Sequence, residues 1–251
     1  YNNIEQLRNN LPEAYRHDAL GLGRTTNFHC ASQQVGIPGV DEKAEVGNLT
    51  WACHSLWLIY RHKMDDTLLR EKLFPLLKGA VNYYLHFLRE EPDGKLHLPA
   101  TYSPEYGSAE DCNYDLALLR WGCRTLIESA GRLHVDDPLL PAWKNVLEKL
   151  APYPQDENGL FIGRNTPYAF SHRHYSHLLA AYPLYLLNKE RKEDVELIEN
   201  SLRFWQEKTG AHQGYSLTGA SSISSALGKG NDALAYLNKL FGRFLSVNTL
   251  Y

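Results

Sequence analysis

The chain has 251 residues, 43% of them apolar, with 26 basic and 29 acidic side chains interspersed for a formal charge of −3. This is enough chain for one large domain with a substantial core. The mixed charge leaves no electrostatic footprint for a nucleic acid or an anionic membrane as partner.

No run approaches the length of apolar sequence that spans a bilayer, so no membrane segment is expected. The chain opens at Tyr1 without a charged-then-apolar leader pattern and reads as a mature or trimmed end. Cys30, Cys53, Cys112 and Cys123 lack the C-x-x-C pairing of a zinc site and the density of a disulfide scaffold, and read as small buried apolar residues.

Residues 1–44 show no sustained period and form an irregular lead-in. From 47 to 64, Leu49, Ala52, Cys53, Leu56, Trp57 and Tyr60 recur at helical spacing, which predicts a buried helix. Asp65, Asp66 and Thr67 offer caps for a second helix over about 68–90, with Pro75 positioned to break or kink it near its start. "KLHLPATYS" (95–103) suits one short extended segment, and no strand ladder is expected.

A rather apolar helix follows over 113–134, then Asp136-Asp137-Pro138 caps a shorter one at 138–150. Residues 174–187 predict another apolar helix, paired with a charged one at 191–207, and 216–228 pairs with 231–245. Each of these four hairpins has an apolar first member and a more amphipathic second. That pattern puts one helix inside and its partner outside, so the expected fold is all-α, an (α/α) toroid-like barrel over 45–245 within a single domain. A six-hairpin toroid needs two more pairs; either part of the barrel lies outside this chain or the lead-in supplies an irregular portion.

In such a barrel the loops entering the inner helices gather at one end. These are "DEKAEVGN" (41–48), "TYSPEYGSAEDCN" (101–113), "YAFSHRHYSH" (168–177) and "GAHQGYS" (210–216), each rich in carboxyl, amide, imidazole or phenol groups. The opposite loops, such as "KMDDT" and "HVDDP", read as plain caps.

Glu105 sits on a turn after Pro104, among Tyr102 and Tyr106. It reads either as an exposed loop acid or as a carboxyl held in place to act as a general acid. Asn48 opens the first inner helix, where an N-cap is the default role. Glu45, Glu110, Asp111, Asn113 and Asp115 fall where the helix dipole favours acids and amides near the start of a helix. His172, His174 and His177 have three readings: metal ligands, ordinary satisfied histidines, or neutral hydrogen-bonding groups lining a sugar site with Arg173 tying nearby carboxylates. The motif itself holds no Asp or Glu to complete a ligand set, so neither a metal nor a cofactor is expected. The abundance of rings, 16 Tyr, 5 Trp and 8 Phe, suits both a helical core and the aromatic platforms of a carbohydrate cleft.

"SPEYG" (103–107) and "SHRHYSHLLAAYP" (171–183) resemble two motifs of the glycoside hydrolase family 95 catalytic domain, the inverting α-L-fucosidases and α-L-galactosidases, and "EVGNLTWACHSLW" (45–57) is similar to that family's Asn-bearing inner helix. The resemblance implies an (α/α)6 barrel flanked by β-rich domains of the same parent protein, a carbohydrate substrate, and a secreted or periplasmic location. It implies Glu105 as general acid and Asn48 as an amide positioning the attacking water. Substrate contacts are then expected from His172, Arg173, His174, His177, Trp51, Tyr106, Asn113, Gln213 and Tyr215.

Two departures matter. The family's Asp-Gly-Asn before the last inner helix is replaced by "AHQGYSLTGAS", with His212 or Gln213 at that place. The base role then passes to another carboxylate, with Glu45 and Asp111 as candidates, or the barrel binds glycan without hydrolysing it. "SPEYG" has Tyr106 where the family usually shows Asn, which implies a shifted substrate preference. An α-barrel of the phosphorylase or lyase type would instead call for a basic cluster, for which only Arg173 speaks.

Overall fold

A computed structural model of the protein describes residues 3–246; Tyr1, on which the trimmed-end expectation rests, lies outside them. The lead-in contains a short helix α1 (Ile4–Asn9) and a 3-10 turn (Glu13–Tyr15), and is otherwise irregular. Helix α2 (Asn48–Lys63) buries Leu49, Cys53, Trp57 and Tyr60 and stops at Met64, whose left-handed φ of 52° turns the chain. Asp65 caps the next helix by accepting from the N–H groups of Thr67 and Leu68.

The second element is one rod with a defect. Short α3 (Asp66–Leu68) and α4 (Phe74–Leu85) are joined by a π turn, Leu69–Leu73, in which the Phe74 N–H reaches back five residues to the Leu69 carbonyl. Pro75 is the cause: it has no N–H to donate and its ring crowds the preceding turn, so the helix widens just before it. The rod ends at residue 85 and not near 90, because Arg89–Glu90 (β1) pairs antiparallel with Leu96–His97 (β2). Strands β3 (Thr101–Ser103) and β4 (Gly107–Ala109) form a second hairpin, and β5 (Gln155–Asp156) with β6 (Gly159–Leu160) a third. The single extended segment expected at 95–103 is thus parts of two separate two-stranded ladders.

Helix α5 (Asn113–Leu133) is buried nearly all round, as an inner helix must be, and α6 (Leu140–Lys149) returns outside it, with Trp143 and Val146 inward. Asp137 is not the expected cap: Leu139 takes the N-cap place with no side-chain bond to the helix, and Asp137 closes the turn before it by accepting the Leu139 N–H at 3.0 Å. The predicted helix at 174–187 does not form. Only a 3-10 turn (Ser176–Leu178) is present, followed by irregular chain through a cis Tyr182–Pro183 peptide. Pro183 would remove a donor and clash within any helix spanning that run. Its apolar character reflects burial all the same: Leu178, Leu179, Ala180, Ala181, Leu184 and Leu187 are all inside.

Helices α7 (Lys192–Glu207), α8 (Gly214–Ala226) and α9 (Gly230–Phe244) complete the described chain. The four expected hairpins therefore become three, α2 with α3–α4, α5 with α6, and α8 with α9, while α7 packs on an irregular partner. The core is one continuous cluster in which Trp143, Trp205, Tyr83, Tyr84 and Tyr114 are almost wholly enclosed. No helix among the described residues is long and apolar enough to cross a membrane. All four cysteines are free thiols; Cys53, Cys112 and Cys123 are buried, and Cys30 is half-exposed. Burial pushes the Cys53 and Cys112 thiols up to about 12, which makes them inert.

Candidate active site

The four polar loops do meet at one end, stitched by hydrogen bonds to the backbone from both main chain and side chains. The Tyr102 N–H donates to the Ala44 carbonyl (2.9 Å), and Ser108 Oγ donates to the Glu42 carbonyl. The Tyr106 hydroxyl accepts from the N–H groups of Ala169 (2.7 Å) and Phe170 (3.1 Å). Ser171 Oγ accepts from Ala211 N (2.8 Å), and Ser216 Oγ donates to the Arg173 carbonyl (2.9 Å). The opposite end is tied by simple ion pairs, Arg132 with Asp66 and Lys78 with Asp137.

Glu105 stands at the tip of the β3–β4 turn with a left-handed φ of 57°, a conformation uncommon outside glycine. Its Oε2 meets Arg173 Nη2 and lies 3.2 Å from His174 Nε2, so both contacts fall on one oxygen. No hydrogen bond or ion pair to a described residue falls on Oε1. Arg173 Nε donates to His174 Nε2 at 3.1 Å. An accepting Nε2 leaves His174 with its proton on Nδ1, and burial lowers its basicity, so the ring is a neutral donor.

His172 stacks on His174 at 5.0 Å and donates from Nε2 to the Pro104 carbonyl at 3.3 Å, the Pro104 that sets the Glu105 turn. Burial lowers its basicity too. The motif's backbone is fixed from behind: Trp205 Nε1 donates to the His172 carbonyl (2.9 Å), and the His172 N–H donates to the Tyr168 hydroxyl (2.8 Å). His177 is not part of the wall. It is wholly enclosed, stacked on Tyr168 at 4.8 Å, and burial, with a smaller contribution from His172, lowers its pKa to about 3. Its place in the motif serves packing.

A second carboxylate cluster adjoins the first. Glu45, 4% exposed, is gripped by Arg24, whose Nε donates to both oxygens (2.9 and 3.1 Å) and whose Nη2 meets Oε1. The guanidinium also lies over the Tyr102 ring at 5.2 Å. Asn48 is not the N-cap; Gly47 takes that place and no side chain caps the helix. The Asn48 amide instead donates to Glu45 Oε2 (3.3 Å) and accepts at Oδ1 from the Tyr114 hydroxyl (3.1 Å). Gly47 makes this possible: a Cβ there would lie 2.4 Å from the Tyr114 ring and 3.0 Å from Asp115 Oδ1. His174 lies within electrostatic reach of both clusters, Glu105 and Arg173 on one side, Arg24 and Glu45 on the other.

The acids expected to serve helix dipoles serve tertiary contacts. Glu110 pairs with Arg164. Asp111 is enclosed and cannot act as base, because Oδ1 accepts the Leu98 N–H (2.9 Å) and Oδ2 binds His97 Nδ1 (2.6 Å). Asn113 is a bolt and not a sugar contact: 1% exposed, its amide donates to the Pro154 (2.9 Å) and Phe161 (2.8 Å) carbonyls. Asp115, in the first turn of α5, accepts from the Tyr84 hydroxyl at 2.6 Å, and burial pushes its carboxyl up to about 7. Gln213 is the N-cap of α8, closing a capping box with Ser216, so the position that lacks an acid is filled by a helix-starting amide.

Of the ring candidates, Tyr215 lies 5.5 Å from His174 and stacks on Tyr175, and Trp51 meets Tyr114 edge-on at 5.8 Å. Tyr106 lies flat under Phe170 at 4.1 Å and 3°, and Phe170 is 54% exposed. Arg24 and Phe170 were not legible as site residues: Arg24 lies in aperiodic lead-in, and Phe170 is one ring among many. The carboxylate missing from the histidine motif is supplied from another loop, since Glu105, His172 and His174 present donor atoms within 4.8 Å of one another. The cation placed among them is the Arg173 guanidinium, which engages both Glu105 and His174.

Three comparisons bear on this arrangement. The glycosyl hydrolase family 95 catalytic domain matches residues 7–251. "Alpha-L-fucosidase 2" of Arabidopsis thaliana is 24% identical over 209 residues, which is 76% of this chain and 24% of the plant protein. A solved structure described as "Putative kojibiose phosphorylase from human microbiome" superposes with a TM-score of 0.64 at 11% identity, covering 96% of this chain and 39% of that one. The fold is thus of the (α/α)6 barrel type, and the chain spans well under half the length of either relative.

Proposed function

The chain belongs to glycosyl hydrolase family 95, and from that membership and the loops around His174 we propose that it hydrolyses terminal α-linked L-fucose or L-galactose from glycans with inversion at the anomeric carbon. Glu105 is the general acid, its Oε1 giving a proton to the glycosidic oxygen as the bond to the anomeric carbon breaks. Glu45 is the general base, taking a proton from a water that attacks the opposite face of the sugar, with Asn48 holding that water. Inverting sites leave room for this water by setting the two carboxyls about 6.5–9.5 Å apart. Neutral His172 and His174 and the ring of Tyr215 bind sugar hydroxyls and the sugar's apolar face. Phe170, packed on the residue after the acid, lies on the leaving-group side.

The observation that supports this reading best is that the loops carrying the two carboxylates are tied together, the Tyr102 N–H donating to the Ala44 carbonyl at 2.9 Å and the Arg24 that grips Glu45 lying over the Tyr102 ring. The test is incubation with aryl α-L-fucosides, aryl α-L-galactosides and a fucosylated oligosaccharide, following the anomer released by NMR. The β-anomer appearing first supports the proposal, and turnover by Glu105→Gln equal to the unsubstituted protein overturns it.

One observation favours a second reading, a glycan-binding barrel without hydrolysis. Each carboxylate is held by an arginine, Glu105 by Arg173 and Glu45 by Arg24. Saturable fucose binding without product release in the same assay would select it.

A further inference from the structure

A different cluster lies across the lead-in, away from the sugar-facing loops. His17 and Asp18 come just after the 3-10 turn, and His86 is the residue just after α4. His86 Nε2 lies 2.8 Å from Asp18 Oδ1, His17 Nε2 lies 3.4 Å from the same oxygen, and all three donor atoms fall within 4.8 Å of one another. We propose that His17, Asp18 and His86 bind a zinc ion that staples the lead-in to the end of α4.

The first argument is geometric. Donors on a tetrahedral zinc at about 2.0–2.1 Å stand about 3.3 Å from each other, and the two observed separations bracket that value. Two imidazoles and a carboxylate are also a standard zinc donor set, with water free to fill the fourth position on so exposed a surface; His17 is 67% exposed at its side chain.

The second argument is the orientation of the His17 ring. Its Nδ1 lies 3.0 Å from the Ala14 carbonyl, which can only accept, so Nδ1 carries the proton. His17 thereby turns Nε2 toward Asp18 Oδ1, 3.4 Å away. An Nδ1–H held by a carbonyl is the arrangement that orients metal-bound histidines, leaving Nε2 to face the metal. His86 donates Nε2–H to Asp18 in the metal-free protein; on binding zinc that nitrogen takes the metal and the neutral ring carries its proton on Nδ1.

The third is preorganisation. His86 is packed against Tyr15 (5.2 Å) and Phe87 (6.5 Å), and Asn82 Nδ2 donates to the Asp18 carbonyl at 2.9 Å. The site also sits at the C-terminal end of α4, where the helix dipole favours a cation.

Protein stripped with a chelator is titrated with zinc chloride by calorimetry, and its thermal midpoint is followed with and without zinc. One equivalent is expected to bind and to raise the midpoint by several degrees, with affinity falling at least about tenfold in His17→Gln and in Asp18→Asn. His174→Gln is expected to keep both effects, which separates this site from the Glu105 cluster. Zinc binding equal in the unsubstituted protein and His17→Gln, or loss of binding in His174→Gln alone, overturns the proposal. So does absence of binding at millimolar zinc, which would leave the cluster to a proton only.

Discussion

Arg173 binds Glu105 across 68 residues of sequence and, through Nε, also holds His174 at 3.1 Å, so one guanidinium fixes the acid's turn and the tautomer of the ring beside it. Replacing Arg173 with Lys keeps the charge but loses the fork that reaches both partners. Expected is a fall in kcat/KM of roughly tenfold to a hundredfold with the thermal midpoint little changed, measured on an aryl α-L-fucoside. Full activity in the lysine variant would show that the fork is dispensable.

The two carboxylates separate by substrate. A glycosyl fluoride needs no protonation of its leaving group, so Glu105→Gln should keep much of its turnover of α-L-fucosyl fluoride while losing roughly 10²–10⁴-fold on natural linkages. Glu45→Gln, lacking a base for water, should lose on both. Equal losses on both substrates for the two variants would remove the division of roles.

Stability against pH carries opposed slopes, of which those of Asp115 and His177 are the steepest. The Asp115 carboxyl is raised by burial to about 7, so the fold holds its proton while the unfolded chain has released it; this contribution is present at low pH and lost as pH rises from about 4 to about 7. His177 is lowered by burial to about 3, so its contribution is present above about 6.5 and lost as pH falls toward 3. Between about pH 4 and 6.5 the two nearly cancel, each worth at most about 1.4 kcal/mol per pH unit. Asp115→Asn keeps an acceptor for Tyr84 and removes the falling slope, so its urea midpoint should climb with pH across that window more steeply than that of the unsubstituted protein, in which the buried His172 and His174 add to the rising side.

Gly47→Ala tests the contact beneath Asn48. The backbone there is ordinary (φ −72°), but the added methyl meets Tyr114 and Leu118 at 2.4 and 2.5 Å. Overpacking of this kind costs about 1–3 kcal/mol. Pushing Tyr114 aside should also loosen Asn48, lowering kcat more than a surface Gly107→Ala, which meets nothing.

Asn113→Ala should be the reverse case. It strips donors from two half-buried carbonyls, Pro154 and Phe161, at a cost of about 1–3 kcal/mol, with KM for sugar unchanged. A raised KM at normal stability would return Asn113 to the ligand.

Much of the chain was determined by the sequence itself. The spacing of Leu49, Cys53, Trp57 and Tyr60 located α2, the largely apolar run 113–133 marked an inner helix, and Asp65 announced its cap, because each of these signals is local. The gathering of four polar loops at one end followed from the alternation of apolar and amphipathic helices. What tertiary structure alone decided is which polar atoms meet. Arg24, from aperiodic chain, became the partner of Glu45; Asn48 gave up capping for Tyr114; Asn113 and Asp111 were taken by backbone and by His97; and His177 was buried while its neighbours faced the loops. The apolar run 178–187 was buried without becoming a helix, since Pro183 forbids one and burial needs none. Helices are chosen by near neighbours in sequence, whereas the partner of a carboxylate is chosen by whichever charge the packed backbone brings within about 3 Å, and in this protein that charge lies 21 or 68 residues away.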